Sequence, residues 1–105
     1  MINNKTFSTP AEAASWLDGQ TAEVDGWKYT LSAWVDSENG QRVCVKVFEG
    51  DGEYVSPNSP LGTNTVDYVI NLAVSDGEVA NLDCTNLVWV GADSTVNEAY
   101  YELKR

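Results

Sequence analysis

WKYTLSAWVDSENGQRVCVKVFEGDGEY, residues 27–54, is the stretch whose reading decides the fold. Between Trp27 and Asp36 alternate positions carry Trp27, Tyr29, Leu31, Ala33 and Val35. Between Gln41 and Glu49 they carry Val43, Val45 and Val47. Period-two alternation in aromatic and β-branched residues marks a strand that buries one face. The two strands must pair with their apolar residues on a common face, because a one-residue slip turns every side chain over. A two-residue turn at Asn39–Gly40 sets Val35 against Cys44 and fails that test. A three-residue loop, Glu38–Asn39–Gly40, sets Val35 against Val43, Ala33 against Val45 and Leu31 against Val47. That loop predicts a positive φ at Gly40. The opposite face then pairs Asp36 with Arg42, Trp34 with Cys44 and Thr30 with Phe48.

The same turn chemistry extends the pattern in both directions. Downstream, Gly50–Asp51–Gly52 sets Phe48 against Tyr54, Val47 against Val55, and Glu49 against Glu53, a like-charge pair that is unfavourable by itself. Upstream, a two-residue Asp25–Gly26 turn sets Val24 against Trp27, Ala22 against Tyr29 and Glu23 against Lys28. The reading is a four-stranded meander from Thr21 to about Ser56. Before it, Thr9, Pro10 and Glu12 spell a helix start with a capping box, Ala13, Trp16 and Leu17 share a face, and Gly19 stops the helix. So short a helix must dock on the sheet to persist.

After the meander, PNSPLGTN (residues 57–64) reads as a crossing loop. Val66–Val74 and Glu78–Cys84 read as a second hairpin around Ser75–Asp76–Gly77. It matches Ile70 with Leu82, Leu72 with Ala80 and Tyr68 with Cys84, with Asn71 and Asn81 facing outward. Leu87–Val90, nearly continuous in apolar residues, predicts a central or doubly covered strand. At the C-terminal end Val96, Ala99, Tyr100 and Leu103 fit a helical face behind a Thr95/Glu98 capping box. Ala99, Tyr101 and Leu103 fit a strand equally, and the helix is preferred. The expected fold class is α+β: a single domain, 1–105, with an N-terminal helix packed on an antiparallel meander sheet or flattened barrel of six to seven strands.

The chain of 105 residues has 16 acidic and 6 basic residues, a formal charge of −10. That sign argues against direct nucleic-acid binding, where Lys and Arg meet the phosphates, and against an anionic membrane surface. MINNKTFSTP shows no apolar run of a signal peptide, and no stretch is long enough to span a bilayer. Two cysteines are too few for a disulfide scaffold, so reduced thiols and a cytoplasmic location are expected.

The chemistry the sequence offers is sparse. Histidine is absent, removing the commonest general base and metal ligand. Cys44 and Cys84 form no C-x-x-C pair, and no glycine-rich phosphate loop or nucleophile elbow occurs. Glu49, Asp51 and Glu53 on one tight loop raise the question of calcium, but the EF-hand spacing is missing and a solvated acidic turn is the simpler reading. No catalytic residue, metal or cofactor is therefore assigned.

Two surfaces remain as candidates for partner binding. In an up-and-down meander the first and third turns share an end, which gathers Glu23, Asp25, Glu49, Asp51 and Glu53 around a lone Lys28. A concentrated negative pole steers toward a basic partner. The competing explanation is solubility or a salty cytoplasm. The outward sheet face carries Trp34, Phe48 and Tyr54 beside Cys44, Lys46 and Thr30. Burial under helix 1 or the second hairpin is one explanation, an interface anchored by Trp and Tyr the other. Trp16 and Trp89 are expected in the core.

In size and charge the chain resembles small inhibitor proteins of phages and mobile elements and the immunity proteins that block toxic nucleases. That resemblance implies a non-enzymatic, acidic protein-binding module occupying a basic, nucleic-acid-binding surface of a nuclease or defence complex. The alternatives are a virion or oligomer subunit using the apolar sheet faces, and a small enzyme or carbohydrate-binding module using the tryptophans.

Overall fold

The computed structural model describes residues 4–24, 26–49, 65–75 and 79–104. In chain order these form α1 (Pro10–Leu17), β1 (Thr21–Val24), β2 (Trp27–Val35), β3 (Arg42–Glu49), α2 (Val66–Ser75), a 3₁₀ turn (Leu82–Cys84), β4 (Leu87–Asp93) and β5 (Glu98–Leu103). The architecture is α+β, with two helices and an antiparallel sheet of five strands in the order β1-β2-β3-β5-β4. Among the described residues the sheet therefore has fewer strands than the six or seven expected.

α1 begins where the sequence places it. The Thr9 hydroxyl accepts the Glu12 amide at 3.2 Å, and the Glu12 carboxylate accepts the Ser8 amide at 3.0 Å. The reciprocal half of the capping box thus falls one residue before the cap. Ala13, Ala14 and Leu17 are buried, and half-buried Trp16 tilts against Phe7 with ring centroids 5.3 Å apart. Gly19, at φ +86°, turns the chain out of the helix. Backbone bonds from Gly19 to Leu31 and from Leu31 to Gln20, both 2.8 Å, then seat the helix end on β2.

The two central registers are those read from the alternation. β1 sets Ala22, Glu23 and Val24 against Tyr29, Lys28 and Trp27. β2 sets Leu31, Ala33 and Val35 against Val47, Val45 and Val43, with Trp34 against Cys44 and Thr30 against Phe48. The loop achieves this register differently from the expectation: Gly40 does not have a positive φ. Side-chain oxygens bend the chain instead, Asp36 accepting the Glu38 amide at 2.8 Å and Asn39 the Gln41 amide at 3.1 Å. Such Asx turns remove the need for a left-handed glycine.

Three expectations are corrected. The segment Val66–Ser75 is a helix, not half of a hairpin. Its buried residues are Val66, Val69, Ile70, Ala73 and Val74, the spacing of one helical face. Tyr68, Ile70, Leu72 and Val74 alternate equally well, and β-branched residues favoured the wrong period. The proposed partner strand is replaced by the 3₁₀ turn, whose Leu82 amide donates to Asn71 Oδ1 at 2.8 Å.

The second correction concerns the far edge of β3. β5 pairs there from Arg42–Glu102 to Lys46–Glu98, and the Val47 amide donates to Asn97 O at 2.9 Å. Residues 50–64, with Asp51, Glu53, Tyr54 and the expected fourth strand of the meander, lie outside the described residues, as does the Ser75–Asp76–Gly77 loop beyond Ser75. The expected C-terminal helix is thus the strand β5, with Ala99, Tyr101 and Leu103 on the core side. An Asp93–Thr95 Asx turn and a left-handed Asn97 (φ 55°) lead into it.

Third, β4 is an edge strand rather than a central one. Val88, Trp89 and Val90 are each more than two-fifths exposed, so Trp89 is not a core residue. A bulge between Trp89 and Gly91 interrupts its pairing with β5.

α1 packs on β2 and β3, and α2 across β1, β2, β3 and β5, so both helices share one face of the sheet. Leu17, Leu31, Val43, Val45, Val47, Val69, Ile70 and Val74 are fully buried between the layers. No helix among the described residues is long and apolar enough to cross a membrane.

Candidate functional site

Strand direction decides which carboxylates meet. β1 ends, β2 begins, β3 ends, β4 ends and β5 begins at one end of the sheet. Glu23 and Glu49 therefore do lie at a common end; Asp25, Asp51 and Glu53 fall outside the described residues. The same end receives two acids from a part of the chain not expected there, Asp93 and Glu98. The sequence missed them because their placement follows from β5 pairing with β3, a long-range contact that alternation cannot reveal.

These carboxylates differ in availability. Glu98 is engaged: its Oε2 lies 3.4 Å from Lys46 Nζ, and its Oε1 accepts the Tyr100 hydroxyl at 3.0 Å. Asp93 accepts both the amide and the hydroxyl of Thr95, which hold its carboxyl below the usual range. Glu23 stands opposite Lys28 across the β1–β2 pair. Glu49 is half-buried, with Oε2 enclosed and unpartnered among the described residues. The opposite end of the sheet is also acidic, carrying Asp36, Glu38 and Glu102 with Arg42. Among the described residues no group of acidic or sulfur ligands is arranged to hold a metal ion.

The sheet face turned away from the helices is the second candidate. Its rows read Thr30–Phe48, Ser32–Lys46–Glu98, Trp34–Cys44–Tyr100 and Arg42–Glu102–Val88. Neither described helix covers it; Trp34 is 39% exposed and Phe48 half-buried. The cations here are used internally. Arg42 lies 5.7 Å from the Tyr100 ring centroid and 3.9 Å from Glu102, and Lys46 is held by Glu98. Burial first, then the Glu98 hydrogen bond and charge, push the Tyr100 hydroxyl up to about 12.

Cys44 differs from its neighbours on this face. It sits on this outer face yet is buried, because a small side chain between Trp34 and Tyr100 in one cross-strand row is shielded by both. Burial, then the charges of Asp36 and Glu98, raise its thiol above the ordinary value. Cys84, expected on an apolar hairpin face, ends the 3₁₀ turn and is only partly buried.

Comparison with protein-family models, curated proteins and solved structures finds no match to this chain.

Proposed function

We propose that the chain is a non-enzymatic, acidic protein-binding module that acts in the cytoplasm. It occupies a basic, nucleic-acid-binding surface of a partner such as a nuclease or defence complex, and so inhibits it. The observation that carries this reading is the way charge is divided. The formal charge is −10, and three of the scarce cations are engaged by neighbouring side chains, while Lys28 and Lys104 are exposed. Lys46 and Arg42 are ion-paired to Glu98 and Glu102, and Lys5 lies within 6 Å of the Phe7 and Trp16 rings. What the molecule offers to a partner is therefore surplus negative charge, including exposed Glu23 at the end of the sheet that half-buried Glu49 shares. Complementary fields of this kind raise the encounter rate and reject partners of like charge.

A second reading, an assembly subunit using its apolar sheet surfaces, is favoured by the Trp34 face, which neither described helix covers, and by the exposed Val88 and Val90 of β4. Ionic strength separates the two. The tagged chain is used to capture host-lysate proteins at low and at high salt, and the captured proteins are identified. A charge-driven inhibitor retains a basic, nucleic-acid-binding protein at low salt and releases it at high salt. Capture of further copies of the chain itself, unaffected by salt, supports assembly instead.

A further inference from the structure

α2 crosses β1, β2, β3 and β5 and leaves the helix-facing side of β4 as the wall of a groove of about 340 Å³. Asp67 and Asn71 of α2 form one side. Leu82 and Asp83 of the 3₁₀ turn close an end, and Trp89 and Tyr101 line the sheet. Asn71 is already committed to the frame: its amide donates to the Asp67 carbonyl at 2.9 Å and its oxygen accepts the Leu82 amide. It fixes the spacing of α2 and the turn.

Tyr101 is the unusual member. It is 2% exposed, yet its hydroxyl has no hydrogen-bond partner among the described residues. Buried phenols are ordinarily paired. Burial and then the charge of Asp67 keep the group protonated, far above the ordinary tyrosine range. Trp89 packs edge-on to Tyr101 at 5.6 Å and is 46% exposed, so part of its indole stays open. Asp67 and Asp83 supply the carboxylates of the groove, and both are exposed.

Exposed carboxylates and an open indole beside an enclosed, unpartnered phenol hydroxyl form a complement to one group above others. Guanidinium is cationic and planar, offers only donors and stacks on aromatic faces; an ammonium matches the charge but not the stacking. Beside the groove runs the outer edge of β4, seven residues long, on which no strand pairs among the described residues. Free edges take up extended segments through backbone hydrogen bonds. A second copy of a chain of charge −10 is a poor occupant for that edge, and a basic segment is a good one.

We propose that this groove receives the arginine side chain of a basic partner segment that lies extended along the free edge of β4. The groove lies away from Glu23 and Glu49, toward the other end of the sheet, and Asp67 and Tyr101 test it independently of the acidic end. The test is an NMR titration of the full chain with three probes: a blocked valine- and threonine-rich peptide with a central arginine, the same peptide with citrulline, and methylguanidinium alone. The arginine peptide is expected to shift the Trp89 indole N–H and the amides of Leu87–Asp93. The citrulline peptide binds at least about tenfold more weakly, since it keeps the shape and loses the charge. Tyr101→Phe, which keeps the fold, weakens the arginine peptide by about three- to tenfold, and Asp67→Asn weakens it further. Equal binding of the citrulline peptide, unchanged affinity in Tyr101→Phe, or shifts confined to the Glu23–Glu49 end would each overturn the proposal. Methylguanidinium binding as tightly as the peptide would overturn the part played by the β4 edge.

Discussion

Adjacent tyrosines on β5 should respond to the same substitution with opposite signs. Tyr101→Phe removes a hydroxyl whose oxygen is enclosed and unpartnered, while the ring and its edge contact with Trp89 remain. A buried polar group left unsatisfied costs about 1–3 kcal/mol. Deleting the oxygen also forfeits a few packing contacts of about 0.1–0.2 kcal/mol each. The balance predicts a gain of about 1 kcal/mol, a rise in melting temperature of roughly 4 °C for a chain of this size. Tyr100→Phe instead breaks the 3.0 Å bond to Glu98 and leaves that carboxylate with one donor fewer. A loss of about 1 kcal/mol is expected there. Guanidinium chloride unfolding measures both, read as a shift in midpoint at constant slope. If Tyr101→Phe is destabilised as much as Tyr100→Phe, the Tyr101 hydroxyl has a partner in solution and the argument for the groove loses its basis.

Glycine substitutions should follow observed φ rather than position in a turn. Gly19→Val and Gly26→Val, at φ +86° and +84°, are each expected to cost more than about 1 kcal/mol by denaturant midpoint. Gly40→Ala, with no positive φ and nothing within 4 Å of an added Cβ, should stay within about 0.5 kcal/mol. In alkali, Cys44, Tyr100 and Tyr101 all have folded pKa values raised above their ordinary ones. Their contribution is thus complete at neutral pH and is lost as pH rises, from near 9.0 for Cys44 and from 10.0 to about 12 for Tyr100. Denaturant midpoints should fall across that window and fall less steeply in the Tyr100→Phe, Tyr101→Phe double variant. Toward a thiol reagent, Cys84 should react before Cys44 in the native protein, as mass spectrometry after timed quenching can read; the reverse order would mean that Trp34 and Tyr100 do not shield Cys44.

What was legible in the sequence was local. Thr9, Pro10 and Glu12 announce α1, and alternation through Trp27–Val35 and Val43–Val47 permits one register of β2 on β3. The β1–β2 turn was equally readable from Val24, Asp25, Gly26 and Trp27. The failures share a cause. Val66–Ser75 carries apolar residues dense enough to satisfy both periods, and the decision rests on packing across the sheet, which a window of sequence does not contain. Leu87–Val90 looks like a core strand because exposure at a sheet edge depends on strand order. The same blindness governed the surfaces. Glu23 and Glu49 share an end of the sheet, as antiparallel order requires, but on opposite faces, whereas Asp93 and Glu98 reach that end only through the β3–β5 pairing. The groove depends on Tyr101, Trp89 and Asp67 meeting across three elements, and no spacing in the chain signals it.

The proposed function is tested most directly by association kinetics with the partner identified by the salt-dependent capture. One variant carries Glu23→Gln, Glu49→Gln and Asp93→Asn, at the end where β1, β3 and β4 finish. Its control carries Asp36→Asn, Glu38→Gln and Glu102→Gln at the other end, an equal change in charge. The account predicts that the first variant associates more slowly, with a flatter dependence on ionic strength and a dissociation rate close to that of the parent, while the control changes little. Equal slowing in both variants, or none in either, would contradict the claim that this end of the sheet meets a basic surface.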